Sequence, residues 1–388
     1  METLLFSPLT LRGLTLRNRI VLSPMLTYSA TNGYTSDTHL AHLAKFAVGG
    51  AGLVFVESTK IDPRGCSTPR DLGLWKDEFI PGMRRIVDLV KSYGAACGIQ
   101  IAHSGRKARR SVPWEGRVPL RDYPGVDHGE PWELIGPSAV AHDPNYQTPR
   151  EMTHADIAQM IEAWSQAARR ADEAGFDVLE MHGAHGYLIH QFLSTTANQR
   201  VDEYGGSFES RMRFAIEAVR GVRRYWPDHK PLFLRVSAVD ETGWTIDDTV
   251  ALSRALGEHG VDVIDCSAGG MSDTQAVANP VGYGYQVKYA RAVRQEAGVK
   301  SMAVGMIVHA DQAEAILRAG EADLVALGRE YLVNPNWPLD AALKLGVDAP
   351  YAQLPPVFGH YLARRQRSFA PLRNSTWQTG IKDESKSR

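Results

Sequence analysis

Short apolar, β-branched runs alternate along this chain with longer stretches in which apolar residues return every three to four positions. The runs are Ile20–Leu22, Leu53–Val56, Gly98–Ala102, Val178–Met181, Leu232–Val236, Val263–Cys266, Ser301–Val304 and Leu324–Leu327. Near-continuous apolar strands are what a parallel sheet needs when helices cover it. The helical stretches carry end signals. From His154 to Ala174, the residues Ile157, Met160, Ile161, Trp164, Ala168 and Ala171 form one stripe. Thr153 with Asp156 three positions on is a capping box, and Gly175 suits the left-handed residue that closes a helix. A second helix is predicted from Thr245, with Asp248 in its first turn, to Gly260, and a third ends at Gly320. Eight strand–helix repeats close a barrel, so the predicted fold is α/β, a single (β/α)8 TIM barrel. A doubly wound sheet would need G-x-G-x-x-G after its first strand, and none is there.

No linker or repeat interrupts the chain before residue 345, which predicts one barrel over residues 1–346. Residues 347–388 read as an irregular C-terminal extension with a basic patch (Arg364, Arg365, Arg367) and a flexible polar end. One connection is long: Ser104 to about Arg150, rich in Pro, Gly and Trp, follows the third run. Loops of that length usually serve as lids or substrate walls.

Composition narrows the function. With 43 Lys+Arg against 44 Asp+Glu, the chain lacks the basic excess of a general nucleic-acid binder or polybasic membrane protein. Three unpaired cysteines (Cys66, Cys97, Cys266) exclude a disulfide framework and a four-cysteine cluster. The N-terminus lacks the pattern of a signal peptide and no apolar run reaches the ~20 residues of a membrane span. These features predict a cytoplasmic protein acting on small molecules.

Barrel chemistry sits at the C-terminal strand ends. There the chain offers Ser23-Pro24-Met25-Leu26 and Tyr28, then Glu57-Ser58, Gln100 and His103. Further on come His182-x-x-His185-x-Tyr187, Arg235, Ser267 to Gly270, Gly305 and Gly328-Arg329. Glycines after strands 7 and 8 expose backbone N–H groups to a phosphate, which Arg329 would pair; each alone would equally suit a tight turn. His182 and His185 lack the further ligands of a zinc site. They fit better as hydrogen-bond donors gripping an oxyanion, with packed core histidines as the bland alternative. Tyr187 could donate a proton to a carbanion-like carbon or simply pack.

Longer segments strengthen one of these readings. LRNRIVLSPM (16–25), GIQIAHSGRKA (98–108), EAGFDVLEMHGAHGYLIHQFLS (173–194), NQRVDEYGGSFESRMRF (198–214), LRVSA (234–238), DVIDCSAGG (262–270), VGMI (304–307) and ADLVALGRE (322–330) resemble the old yellow enzyme family of FMN-dependent ene-reductases. The nearest branch is the thermophilic-like or xenobiotic-reductase one. The resemblance implies non-covalent FMN, with NADPH or NADH as reductant. Ser23, Pro24, Met25, Leu26 and Ser58 would line the flavin, Gln100 would bond its pyrimidine edge, and Arg235 would lie near N1 and O2. Gly305, Gly328 and Arg329 would hold the phosphate. His182 and His185 would grip a carbonyl or nitro oxygen, Tyr28 would touch the substrate, and Tyr187 would protonate the α-carbon after hydride reaches the β-carbon. A redox-neutral isomerase, an enoyl- or aryl-CoA reductase, and a catalytically idle flavin sensor are the alternatives on this scaffold.

Three features qualify the resemblance. Leu26 stands where the family usually has Cys or Thr, either by neutral drift or as a change that lowers the flavin potential. Arg106, Lys107, Arg109 and Arg110 could meet the phosphates of NADPH or a CoA thioester, although a solvated basic loop is the better reading for Arg109 and Arg110. The family branch also implies a homodimer or higher homo-oligomer, to whose neighbouring site Tyr361 or Arg364 would contribute.

Overall fold

The computed structural model describes residues 3–120, 133–272 and 281–368. Eight parallel strands form its closed barrel: β3 (Ile20–Leu22), β4 (Leu53–Lys60), β5 (Ala96–Ala102), β8 (Val178–Gly183), β9 (Leu232–Ser237), β10 (Val263–Ser267), β11 (Lys300–Ala303) and β12 (Leu324–Leu327). β12 pairs with β3 to complete the ring. The predicted (β/α)8 barrel is thus the observed one.

The interior is a packed core. Val21, Phe55, Val178, Phe233, Met302 and Leu324 fill it, with Phe55 and Phe233 rings 5.9 Å apart. An antiparallel hairpin, β1 (Leu9–Leu11) and β2 (Leu14–Leu16), adds Leu11 and Leu16 to this inner cluster. The sequence reading had not assigned this hairpin, although Leu-Thr-Leu either side of Arg12-Gly13 carries the two-residue period of strands. The other faces of the strands pack under the surrounding helices in one continuous apolar layer. The helix His154–Ala174 has its predicted ends: Thr153 and Asp156 exchange bonds, and Gly175 takes φ +94°. The helix from Ile246 stops at Glu258, two residues short of Gly260.

Two expectations are corrected. The second barrel strand continues to Lys60, because a bulge between Val56 and Ser58 lets pairing resume beyond Glu57. Lys60 is buried there with a carboxylate partner, so a charge does not end the strand. The C-terminal extension is not irregular: Pro350–Gln353 is a 3₁₀ turn and Pro356–Ser368 an α-helix carrying Arg364, Arg365 and Arg367. Its last residues, 369–388, lie outside the described part. The long connection after β5 also has order of its own, where β6 (Ile135–Gly136) pairs with β7 (Arg150–Glu151).

Candidate active site

Two cavities open at the C-terminal ends of the strands. The larger, about 540 Å³, is lined by Ser23, Pro24 and Met25 after β3, Arg235 on β9, Gly305 after β11, and Gly328 with Arg329 after β12. The glycines serve it differently. Gly305 has φ +113°, and a Cβ there would lie 2.7 Å from Gln286 Oε1, so the chain itself demands glycine. At Gly328 a Cβ would meet only Met25 Sδ, at an ordinary 3.6 Å. Nothing else among the described residues fills that space; the missing side chain leaves room for a ligand. A cleft with bare backbone and an arginine at one end suits a phosphate, and Arg235 supplies a cation further in. These residues fit FMN.

Arg235 is embedded in a buried polar network. Its Nη1 donates to Ser23 Oγ at 3.0 Å, and its Nε lies 3.3 Å from Asp265 without hydrogen-bond geometry. Gln100 donates to Glu180 Oε1 at 2.7 Å. Burial, and then the charge of Asp265, push the Glu180 carboxyl well up, while Arg235 opposes them. Burial raises Asp265 as well, again against Arg235. The sequence reading missed both acids. The signal was available: each is a carboxylate inside an otherwise apolar strand (Val178–Met181, Val263–Cys266). Gln100 and Ser58 are buried but are not among the residues lining either cavity, and Ser58 Oγ accepts from Lys60 Nζ at 2.9 Å.

The smaller cavity, about 330 Å³, brings Leu26, Tyr28, His185 and Tyr187 together with Lys107 and Arg117. His185 is a non-glycine residue at φ +56°, and its backbone N–H donates to Ser237 Oγ at 2.9 Å. Gly270 gives it room: a Cβ there would lie 2.8 Å from His185 Cα. Strain held by surrounding bonds is characteristic of functional sites. Downstream, His190 accepts from the Gly186 N–H and pairs with Asp240 at 3.0 Å, fastening the turn that presents Tyr187. His182 and His185 lie side by side, Nε2 to Nδ1 at 3.4 Å, and His182 packs edge-on to Tyr187 at 4.8 Å. Burial first, then neighbouring positive groups, hold both imidazoles well below their ordinary pKa. They are therefore neutral at neutral pH. His182 Nδ1 is buried without a partner, whereas His185 Nε2 is 2.7 Å from Ser267 Oγ.

Tyr28, at φ +52°, packs edge-on against Trp114. Burial, then Tyr187, raise its phenol pKa above the ordinary range. The Tyr187 hydroxyl is 3.0 Å from Ser67 Oγ. Glu57, on the β4 bulge, accepts from the Thr27 N–H at 2.8 Å and so ties down the Leu26–Tyr28 segment.

The basic segment after β5 divides otherwise than expected. Arg106, Lys107 and Arg110 are all buried, so a solvated loop describes Arg109 more than Arg110. Arg110 stacks on the Tyr146 ring at 4.5 Å. Lys107 donates to the carbonyls of His185 and Gly270, bracing the histidine loop. Among the described residues, the group with metal-binding geometry is His154, Asp202 and Glu203, which does not include the active-site histidines.

Residues 4–346 match the NADH:flavin oxidoreductase / NADH oxidase family. An NADPH dehydrogenase of a Geobacillus species is 47% identical over 350 residues, covering 89% of this chain and 96% of that protein. The NADPH dehydrogenase of Bacillus subtilis is 42% identical over the same shares. Morphinone reductase is a structural neighbour with TM-score 0.72 and 26% identity, covering 88% of this chain and 90% of that one. No helix among the described residues is long and apolar enough to cross a membrane. A barrel whose mouth fits FMN, and relatives matched over nearly their whole length, establish the chain as an NAD(P)H-dependent FMN oxidoreductase of the NADH:flavin oxidoreductase / NADH oxidase family, the old yellow enzyme group.

Proposed function

We propose that this enzyme reduces activated C=C bonds of α,β-unsaturated carbonyl or nitro compounds. The carrying observation is the convergence of His182, His185 and Tyr187 beside the cavity that also holds Tyr28. When bound, FMN would supply the two-electron chemistry that links oxidation of NAD(P)H to reduction of the β-carbon of the second substrate. Ser23, Pro24, Met25, Leu26 and Arg235 are assigned to its ring, and Gly305, Gly328 and Arg329 to its phosphate; Ser58 and Gln100, buried outside the lining of both cavities and bonded to Lys60 and Glu180, are assigned to the ring's surroundings. His182 and His185 hold the substrate oxygen. As neutral imidazoles they donate N–H bonds to charge developing there, the preorganised stabilisation typical of enolate-forming sites. Tyr187 then gives its proton to the α-carbon. Nicotinamide and enone use the same cavity in turn.

A redox-neutral isomerase or a CoA-thioester reductase is the second reading. Leu26, which offers this cavity no hydrogen bond, favours it. The protein is further proposed to be a cytoplasmic homo-oligomer. On the helix Pro356–Ser368, Val357, Phe358 and Tyr361 are exposed, a face that suits a second copy and would bring Tyr361 or Arg364 to its site. Truncation at residue 355 is expected to yield monomer or a raised substrate KM; an unchanged dimer with unchanged KM would remove the idea.

An anaerobic absorbance titration tests the reaction. NADPH is expected to bleach the oxidised flavin band and 2-cyclohexenone to restore it. A bleached band that no enone or nitroalkene restores would overturn ene-reduction. A band that NADPH leaves intact would favour the isomerase.

A further inference from the structure

Lys60, the last residue of β4, is wholly buried. Its Nζ lies 4.7 Å from the centroid of the Tyr187 ring. It also donates to Ser58 Oγ at 2.9 Å and pairs with Asp71 at 3.5 Å. Asp71 in turn accepts from the Ser67 N–H at 2.6 Å and from Thr68 Oγ1 at 2.7 Å. This places Ser67 Oγ 3.0 Å from the Tyr187 hydroxyl and 3.1 Å from Ser104 Oγ. One ion pair therefore sets both a cation over the face of Tyr187 and a hydroxyl against its oxygen.

Burying an ammonium is costly, and an apolar pair of similar volume often serves stability as well. A charge kept over one aromatic ring at the site therefore invites a functional explanation. Burial alone would push the Lys60 pKa down, but Tyr187, Asp71 and Cys66 outweigh it and leave it raised, so the group stays cationic. A cation is attracted to the face of a neutral phenol. It is attracted more strongly once the ring carries negative charge.

We propose that Lys60 is a positioning residue for proton donation, steadying the negative charge left on Tyr187 while Ser67 donates to its oxygen. The inference rests on the reading of Tyr187 as proton donor. In that step the Tyr187 O–H bond breaks and its electron pair stays on oxygen. The proton forms the new C–H bond at the α-carbon, whose electrons were displaced when hydride entered at the β-carbon. A proton taken up from solvent then restores the phenol. With Ser104 as the donor across its 3.1 Å contact with Ser67, the Ser67 hydroxyl is free to face the phenolate.

The holoenzyme tests this when its two half-reactions are followed separately by stopped flow. Lys60→Met combined with Asp71→Asn removes the pair without stranding a buried charge. It is expected to slow enone-driven reoxidation by roughly 10- to 100-fold, a little less than loss of a donor in direct contact. Reduction by NADPH and FMN content should remain within about twofold, and the solvent deuterium isotope effect on reoxidation should grow. Lys60→Arg should recover most of the rate, and Ser67→Ala, a milder change, should slow the same step less. Unchanged reoxidation in the double variant, with Tyr187→Phe slow, overturns the role of Lys60 alone. Equal slowing of both half-reactions, or FMN loss with a normal rate per bound flavin, also overturns it by reducing Lys60 to a structural part. A Tyr187→Phe enzyme that reoxidises normally removes the donor reading itself, and the proposal with it.

Discussion

The two cavities at the barrel mouth are built by opposite means. The larger is made from strand ends and bare backbone: Ser23 to Met25, Gly305, Gly328 and Arg329 come from three neighbouring strands. The smaller is walled by polar side chains, many of them buried. Ser67, Lys107, His185 and Tyr187 line it, and Lys60, Asp71, Ser104 and His182 are buried in contact with them. The lining of the larger cavity is mostly backbone, and its titrating acids, Glu180 and Asp265, belong to the network around Arg235. The smaller cavity depends more directly on protonation states that burial and neighbouring charges set together.

The largest expected difference follows from that dependence. In the unfolded chain each histidine protonates near pH 6.5. Folded, burial holds His103 down to about 4 and keeps His182 and His185 well below 6.5. Below pH 6.5 the unfolded state therefore binds more protons, so stability falls with pH until the folded values are reached. Each of these histidines therefore costs stability as the pH falls from 7 towards 5.5. Urea unfolding of FMN-saturated enzyme should show this loss, and His103→Gln should lessen it. Equal stability at both pH values would break the contrast between the cavities.

Arg329 probes the other cavity. Arg329→Ala removes charge-assisted bonds to a phosphate, worth about 1.5–3 kcal/mol, so FMN should bind roughly 10- to 100-fold more weakly. The side chain is exposed, so unfolding of the apo-protein should change by no more than about 0.5 kcal/mol. Recovery of FMN fluorescence on dilution measures the first effect. An unchanged dissociation constant would move the phosphate away from Gly328 and Arg329.

The same contrast explains how much the sequence made legible. The barrel was readable because each strand is a continuous apolar run and each turn has local chemistry, as at Thr153 and Gly175. The phosphate end was readable because Gly305 and Gly328-Arg329 are short segments at strand ends. Lys60 was not, since its burial depends on Asp71, and its contact with Tyr187 spans more than a hundred residues. Arg110 misled in the same way: stacking on Tyr146 buries a side chain that sequence alone assigns to solvent. The helix Pro356–Ser368 escaped because Pro355, Pro356 and Gly359 weaken its local signal. Yet a Cβ at Gly359 would lie 2.6 Å from the Tyr351 carbonyl, so close packing on the preceding turn requires that glycine.

Leu26 lies where the two regions meet, one residue past the backbone that lines the flavin cleft and on the wall of the Tyr187 cavity. A side chain there that donates a hydrogen bond to reduced flavin would stabilise it by about 0.5–1.5 kcal/mol. For a two-electron couple, where 30 mV corresponds to about 1.4 kcal/mol, that is roughly 10–30 mV. Leu26→Cys is therefore expected to raise the midpoint potential by that amount and to quicken reduction by NADPH, with FMN affinity unchanged. Potentials equal in the two proteins would mark Leu26 as neutral drift and withdraw its support for the isomerase. A rise together with slower turnover of an isomerisable enone would instead show that this one missing donor shifts the site from isomerisation towards reduction.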